Sequence, residues 1–155
     1  KTVIFLAIDG IYEGYISLSD KIKNEAEEIV SCLKSLKIKR VVMLTGDNRS
    51  VANKVGESIG LDTVMAELMP EDKYRILEEI LSDSKGGVVY VGDGINDAPC
   101  LTRADVGIAM GAMGSDTAIQ SADISLMNNS LENLPFVIEL SRKTKGTFSR
   151  SSSIQ

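Results

Sequence analysis

The sequence predicts an α/β fold with a doubly wound, largely parallel sheet and an N-terminal β-hairpin. Short apolar runs alternate with amphipathic segments of about 10 to 15 residues, a pattern typical of βαβ units. Several of these runs end in polar turns, and ligands of open α/β sheets bind at the carboxyl ends of the strands. The first two runs are instead joined by Asp9-Gly10, a strong hairpin signal.

The elements follow from apolar spacing and from start and stop signals. Residues 3–8 and 12–18 form the predicted hairpin, and Asp20 can cap a helix whose apolar positions recur up to Leu36. The later predicted elements are a strand at 41–44, a helix at 49–59 stopped by Gly60, a strand at 63–66, a helix from Pro70 with Leu77, Ile80 and Leu81 facing inward, strands at 88–91 and 105–109, a helix at 115–120, a strand at 124–127 and a helix at 131–145.

Composition excludes several classes of protein. At 155 residues, with 43% hydrophobic residues, the chain fits one domain with a real core, and a net charge of −5 argues against a nucleic-acid binder. We find no apolar run of the roughly 18 residues that span a bilayer, and no signal-peptide layout at the N-terminus. The sequence contains no histidine, which excludes Ser-His and Cys-His nucleophile pairs. Cys32 and Cys100 are predicted to be buried thiols rather than a disulfide.

The most informative segment is residues 90–99, Tyr-Val-Gly-Asp-Gly-Ile-Asn-Asp-Ala-Pro. A buried strand delivers Asp93 and Asp97 to its carboxyl end within a glycine-rich turn. Carboxylates are the hard oxygen ligands that Mg²⁺ prefers, usually shared with phosphate and water. Asn96 adds an amide suited to holding a phosphoryl oxygen or orienting Asp97. The segment therefore predicts metal or phosphate chemistry.

Two further segments have weaker signals. Thr45 and Gly46 place a hydroxyl and a backbone N–H at a strand end before a helix, an oxyanion site, although Asp47 or Asn48 could simply cap that helix. Lys73 lies in the first turn of the helix from Pro70, where the helix dipole disfavours a cation, so it is either solvated or directed at an anion. Together, the three segments predict a phosphoryl-transfer site without an evident nucleophile.

These segments resemble the haloacid dehalogenase-like phosphotransferases, and among them the phosphorylation domain of heavy-metal P-type ATPases. Residues 45–47 look like the TGD motif of that family, Lys73 like its PxxK-type lysine, and residues 92–99 like its GDGxNDxP motif. Residues 105–110, 114–116 and 121–124 are similar to the downstream strands, and residues 111–116 are closer to the zinc/cadmium/lead branch than to the copper branch. The resemblance extends to about Lys145.

The resemblance implies a role for each matched residue. Asp93 and Asp97 would ligate Mg²⁺, with Asn96 completing that site. Lys73 would neutralise phosphoryl charge. The family's catalytic cycle forms and hydrolyses a phosphorylated aspartate while a metal ion crosses the membrane.

For the phosphoryl group itself, the resemblance implies that Thr45 and the Gly46 N–H bind oxygens, together with Asn96 and Lys73. Asp47 would help to arrange the same loop. Asp47, Lys73 and Asp97 are thus the expected catalytic residues, acting in a parent protein that uses Mg²⁺ and ATP.

The chain departs from the family in one large respect. The DKTGT segment that carries the phosphorylated aspartate is absent, and in the family it lies upstream of the nucleotide-binding domain. Residues 1–19 then resemble the last hairpin of that nucleotide-binding domain, residues 20–145 the phosphorylation domain, and residues 146–155 a tail. Because the nucleophile strand is central in the family, its loss would leave a gap between the strands that end at Leu44 and Val91.

Alternatives remain at this point. Residues 3–10 also look like a nucleophile strand with Ala7 at the reactive position, so this strand could fill the central slot instead of forming the hairpin. The chain could be a free-standing phosphatase of the same superfamily, for which only Asp9 is near a plausible place, or a non-catalytic binding module. The tail could be disordered or the basic flank of a membrane helix.

The leading interpretation also implies partners and a location. They are the ATP-binding and transmembrane domains of a parent transporter, at the cytoplasmic face of the cell membrane. The transported divalent heavy-metal ion would not be bound by this segment, and no nucleic acid is expected.

Overall fold

The chain begins with an antiparallel hairpin of two strands, β1 (Thr2–Ile8) and β2 (Ile11–Leu18), in a computed structural model that describes residues 2–18, 25–92, 95–111, 116–127 and 130–151. Asp9 and Gly10 form its turn with φ values of 51° and 79°, as a tight hairpin turn requires. The predicted hairpin is confirmed. The alternative in which residues 3–8 fill the central slot is wrong, because β1 pairs with β2 alone among the described strands.

The hairpin leaves apolar side chains exposed on both of its faces. Phe5 is 73% exposed and its ring lies 6.3 Å from that of Tyr12, which is itself 60% exposed. A two-stranded hairpin is marginally stable by itself, because it buries little apolar surface. These faces are therefore suited to packing against further protein.

The rest of the chain alternates between helices and strands. Its elements are α1 (Ala26–Ser35), β3 (Val42–Leu44), α2 (Arg49–Ile59), β4 (Thr63–Met65), α3 (Pro70–Asp83), β5 (Val89–Gly92), a 3-10 helix (Ile95–Asp97), α4 (Ala98–Arg103), β6 (Val106–Met110), α5 (Asp116–Ser121), β7 (Ile124–Leu126) and α6 (Asn133–Ser151). In the described part of the chain, no helix is both long enough and apolar enough to cross a bilayer.

The strands after the hairpin form two separate parallel sheets. β3 pairs with β4, and β5, β6 and β7 form a three-stranded sheet in that order. Among the described strands, β3 and β5 are not paired with each other, so each keeps an edge without a partner strand. This confirms the α/β fold with parallel sheets, and it also confirms the predicted gap between β3 and β5.

The core lies between the helices and the three-stranded sheet. Ile29 and Leu33 of α1 pack with Ile108 of β6, Leu126 of β7 and Leu134 of α6 in one buried cluster. A second contact unites Leu101 of α4 with Ala109 of β6, and Leu101 is fully buried. This packing fixes α4, and with it the 3-10 helix Ile95–Asp97 that directly precedes it.

Several predicted boundaries differ from the structure. The helix α4 was not predicted, since six residues are too few to show a clear helical period. The helix α6 continues to Ser151 instead of ending near Lys145, because no proline follows Pro135 of its first turn to stop it. Both cysteines are free thiols as predicted, but Cys32 is exposed on α1, and only Cys100 is buried.

Candidate functional site

The turn after β3 is folded on itself by a threonine and an aspartate. The Thr45 hydroxyl donates to Asp47 Oδ2 at 2.8 Å, and the Asp47 backbone N–H donates back to Thr45 Oγ1 at 3.1 Å. The Thr45 N–H donates to the Met65 carbonyl at 2.9 Å, which carries the pairing of β3 and β4 one step further. The predicted oxyanion loop is thus a closed turn at the carboxyl end of β3.

Asn48, and not Asp47, caps the following helix α2. Asn48 Oδ1 accepts a hydrogen bond from the Ser50 N–H at 2.9 Å, and Gly60 ends the helix in the left-handed conformation with φ 74°. The Asp47 carboxylate is directed instead at Thr45. Asn48 therefore serves as the helix cap, and Asp47 remains a candidate residue of the site.

The segment 66–69 holds this turn from the other side. The Glu67 N–H donates to the Asp47 carbonyl at 2.9 Å, and the Leu68 N–H donates to the Thr45 carbonyl at 3.1 Å. A Cβ placed on Gly46 would lie 3.3 Å from the Leu68 carbonyl oxygen, so glycine permits this close approach. Glu67 adopts φ 61°, in the left-handed region that only a few per cent of non-glycine residues occupy.

The Glu67 side chain reaches the start of α2. Its Oε1 accepts from the Arg49 N–H at 3.3 Å, and its other carboxylate oxygen lies 3.6 Å from the Arg49 guanidinium. An acidic group at a helix N-terminus is favoured by the helix dipole. Glu67 was not among the predicted site residues, because nothing in the apolar spacing shows that residue 67 turns back onto the loop.

Lys73 is directed at a carboxylate. It lies in the first turn of α3, where the Asp72 side chain accepts from the Met69 N–H at 3.2 Å and so closes the start of the helix. The Lys73 Nζ donates to Asp97 Oδ1 at 3.0 Å, and the two side chains are only 19% and 12% exposed. Of the two sequence-based alternatives for Lys73, the structure shows the one in which an anion compensates its charge.

Asp97 is buried, with 8% of its surface exposed, at the end of the 3-10 helix. A buried charge requires partners. The described partners of Asp97 are Lys73 and the Tyr90 hydroxyl, which donates at 2.9 Å, and both contact Oδ1. A Cβ on Gly92 would lie 2.8 Å from Asp97 Cβ, so the close approach of β5 to this carboxylate requires glycine.

Tyr90 is the second residue that the sequence did not single out. Burial, followed by the negative charge of Asp97, raises the pKa of its phenol above the ordinary value, so the hydroxyl keeps its proton and acts as a donor. Burial likewise raises the pKa of the neighbouring Cys100 thiol. An aromatic residue within an aliphatic strand seven positions before Asp97 is the signal that could have identified Tyr90.

The remaining predicted residues are placed less completely. Asn96 lies in the 3-10 helix and is exposed, whereas Asp93 lies outside the described residues. Within the described ranges, no group of three or more Cys, Asp or Glu side chains is close enough to hold a metal ion. Asp97 supplies one hard oxygen, Oδ2. This oxygen lies on the side of Gly92, where a Cβ added to that glycine would be 3.1 Å from it. That donor type fits Mg²⁺.

Comparison with known proteins places this geometry in a family. The family description "haloacid dehalogenase-like hydrolase" matches residues 1–105. The zinc-transporting ATPase of Synechocystis is 48% identical over 145 residues, which is 93% of this chain and 20% of that protein. The chain therefore spans about a fifth of the length of this curated relative.

Solved structures agree with the sequence relatives. The crystal structure of a zinc-transporting PIB-type ATPase superposes with a TM-score of 0.80 at 33% identity, covering 98% of this chain and 24% of that one. A 3-deoxy-D-manno-octulosonate 8-phosphate phosphatase from Moraxella catarrhalis superposes with a TM-score of 0.68, covering 97% of this chain and 84% of the phosphatase. Its 15% identity shows a shared fold alone. The relatives that match it along most of its length include zinc- and cadmium-transporting ATPases, and the chain belongs to the haloacid dehalogenase-like hydrolase family.

Proposed function

We propose that this chain is a partial catalytic domain of an ATP-driven heavy-metal transporter. In this proposal it supplies the Mg²⁺- and phosphoryl-binding half of an aspartyl-phosphate site, and a segment outside these 155 residues supplies the nucleophile. Phosphoryl transfer depends mainly on positioning and on neutralising charge, so such a half-site has a defined chemical role without a nucleophile.

One observation carries the proposal: a continuous series of contacts joins the three sequence motifs. The backbone carbonyl of Thr45 accepts a hydrogen bond from the N–H of Leu68, which lies two residues before α3 begins at Pro70. Lys73, three residues after Pro70, then donates a hydrogen bond to the Asp97 carboxylate. The first motif is thus held against the segment that leads into α3, and Lys73 of α3 is bound to the third motif beyond the end of β5, where ligands of open α/β sheets bind.

The phosphoryl oxygens would be bound by Thr45, the Gly46 N–H, Asn96 and Lys73. Lys73 is the cation of this set, and Asp97 restrains it before any phosphate arrives. The Thr45 hydroxyl now donates to Asp47, so it would turn from that carboxylate to the phosphoryl oxygen. Asp47 would hold the hydroxyl in place until then.

Asp93 and Asp97 would ligate Mg²⁺, with Asp97 offering Oδ2 because Oδ1 already receives Lys73 and Tyr90. When bound, the ion would neutralise phosphoryl charge and orient the transferred group. Asp97 would thus offer Oδ2 to the metal, while Oδ1 accepts from Tyr90, and from Lys73 until phosphate arrives.

The gap between β3 and β5 supports an upstream nucleophile segment. Each strand has an edge that no described strand pairs, and buried backbone groups require hydrogen-bond partners. We therefore assign residues 1–19 to the end of a nucleotide-binding domain, residues 20–145 to the phosphorylation domain, and residues 146–155 to a following segment in which α6 continues to Ser151. The exposed apolar faces of the hairpin support the first assignment.

The parent protein would use ATP, through a nucleotide-binding domain, and would move a divalent heavy-metal ion through a transmembrane domain. This chain would then lie at the cytoplasmic face of the membrane. The Synechocystis relative is a zinc-transporting ATPase, which supports this assignment. The transported ion would be bound elsewhere in the parent protein.

A free-standing phosphatase is the rival function, and the Moraxella phosphatase shows that this fold occurs in a protein of similar length. That function needs an aspartate nucleophile beside Lys73 and Asp97. Asp9, the candidate, lies in the hairpin turn with φ 51° and is exposed. An Asp9→Asn variant that abolishes hydrolysis of a generic phosphate ester would favour the phosphatase.

Incubation with ATP labelled on the γ-phosphate tests the proposal. The 155-residue chain should form no acid-stable phosphoenzyme, whereas a longer protein that includes the natural upstream sequence should form one. In the longer protein, Lys73→Met should reduce labelling far more than Lys85→Met, an exposed lysine before the start of β5. Labelling of the 155-residue chain, or equal labelling of the two variants, would contradict the proposal.

A further inference from the structure

Tyr90 and Lys73 share one oxygen of the buried Asp97 carboxylate. The Tyr90 hydroxyl lies 2.9 Å from Asp97 Oδ1, and Lys73 Nζ lies 3.0 Å from the same atom. We propose that Tyr90 is a positioning residue, which holds Asp97 in place and keeps it hydrogen-bonded when Lys73 turns towards a phosphoryl group. This inference rests on the proposed phosphoryl-binding function of the site.

Tyr90 is the more rigid of the two donors. Its backbone lies in the middle of β5, paired with Gly107 of β6, and its ring packs against Leu101 and Ala109. A tyrosine side chain has two torsions, whereas a lysine ammonium sits on a flexible four-carbon stem. The direction of the Asp97 carboxylate is therefore set by Tyr90, and Lys73 adapts to it.

The shared oxygen has a consequence for phosphate binding. If Lys73 turned towards a phosphoryl oxygen and Asp97 Oδ1 had no other donor, one oxygen of a buried carboxylate would be left without a hydrogen bond, which is unfavourable. The Tyr90 hydroxyl, 2.9 Å from the same oxygen, remains in place as a donor to that carboxylate. Tyr90 thus lowers the free-energy cost of releasing Lys73 to the ligand.

The test compares Tyr90→Phe with Tyr74→Phe in the 155-residue chain. Both variants remove one hydroxyl, but Tyr74 follows Lys73 on α3, is 38% exposed and contacts Arg103 rather than Asp97. Inorganic phosphate is titrated in the presence of Mg²⁺, with binding followed by ³¹P NMR. We expect Tyr90→Phe to weaken phosphate binding about tenfold, the size of one hydrogen bond to a charged group, and Tyr74→Phe to leave it unchanged.

A second readout needs no ligand. The ¹H–¹⁵N resonance of the Lys73 ammonium reports its contact with Asp97, and we expect it to shift or broaden in Tyr90→Phe but not in Tyr74→Phe. Unchanged phosphate affinity together with an unchanged Lys73 resonance would overturn the inference. If the unaltered chain binds no phosphate, the proposed function fails, and the Lys73 resonance alone then decides whether Tyr90 positions Asp97.

Discussion

The two strand ends that form the candidate site are built in different ways. At the end of β3, Thr45 and Asp47 form a turn held largely by backbone hydrogen bonds from residues 66–69, and Asp47 is exposed. At the end of β5, Asp97 is 8% exposed and is held by the side chains of Lys73 and Tyr90. The first end resembles a preformed binding loop, and the second a buried ionic network.

This difference predicts how each end responds to substitution. A backbone-built, exposed turn loses affinity when a side chain changes, but the fold scarcely depends on that side chain. A buried ionic network couples binding to stability, because removal of one partner leaves the other unpaired in a low-dielectric environment. Substitutions at the end of β5 should therefore lower the free energy of unfolding more than substitutions at the end of β3, even where both weaken ligand binding.

The largest effect is expected at the packing that supports the buried end. A Cβ on Gly107 would lie 2.2 Å from the Leu101 backbone carbonyl, so Gly107→Ala must displace α4, which follows Asp97 directly. We expect a loss of about 3 kcal/mol in the free energy of unfolding, measured with urea.

Gly56→Ala provides the matched control beside the exposed end. The added Cβ would lie 2.2 Å from a methyl of the Val64 side chain rather than from backbone, and alanine is favourable within the helix α2. We expect a change of no more than about 1 kcal/mol. A larger loss for Gly56→Ala than for Gly107→Ala would contradict the distinction between the two ends.

The next effect compares the aspartates themselves. Asp97→Asn removes the charge that compensates Lys73, and the side chains of Lys73 and Asp97 are only 19% and 12% exposed. We expect the substitution to lower the free energy of unfolding by about 2 kcal/mol. Asp47→Asn, in an exposed turn, should cost less than about 0.5 kcal/mol. Equal urea midpoints for the two variants would mean that burial does not distinguish the sites.

The smallest effect concerns a second Lys–Asp pair, which is exposed. Lys34 and Asp62 lie 2.8 Å apart with side chains 42% and 34% exposed, and the Lys34 hydrogen bond, followed by that from the Val41 N–H, lowers the pKa of Asp62 below its usual 3.8. Because the folded-state pKa is depressed, the stabilisation is complete above the unfolded-state value and is lost as the pH falls through the lowered one.

Lys34→Gln should therefore reduce the free energy of unfolding at pH 6 by less than about 0.5 kcal/mol. It should also reduce the amount by which that free energy falls between pH 6 and acid pH. Urea unfolding at pH 6 and at pH 2.5 measures both quantities. A loss at pH 6 as large as that of Asp97→Asn would show that exposure does not weaken this ion pair.

Local signals in the sequence were sufficient for part of the fold. The bounds of α2 were predicted because Asn48 caps it and Gly60 ends it, and the start of α3 was predicted because Pro70 fits the first helical position. The helix α4 was missed, since its stability comes from the burial of Cys100 and Leu101 against distant residues. Such packing leaves no period in a six-residue segment.

The site follows the same division. The residue types at positions 45, 73 and 97 indicated phosphate chemistry, because a hydroxyl at a strand end, a lysine in a first helical turn and an aspartate in a glycine-rich turn together suit a phosphoryl group. The sequence left open whether Lys73 was solvated, since its partner Asp97 lies 24 residues away. Tyr90 and Glu67 escaped prediction because one acts through a tertiary contact and the other through a positive φ.

The central claim is that this chain holds the Mg²⁺- and phosphoryl-binding half of the site, with Lys73 as its cation. Isothermal titration of the 155-residue chain with inorganic phosphate, with and without Mg²⁺, tests it most directly. We expect saturable, Mg²⁺-dependent binding that Lys73→Met removes and Lys85→Met preserves. Binding that is absent from the unaltered chain, or that survives Lys73→Met unchanged, would contradict it.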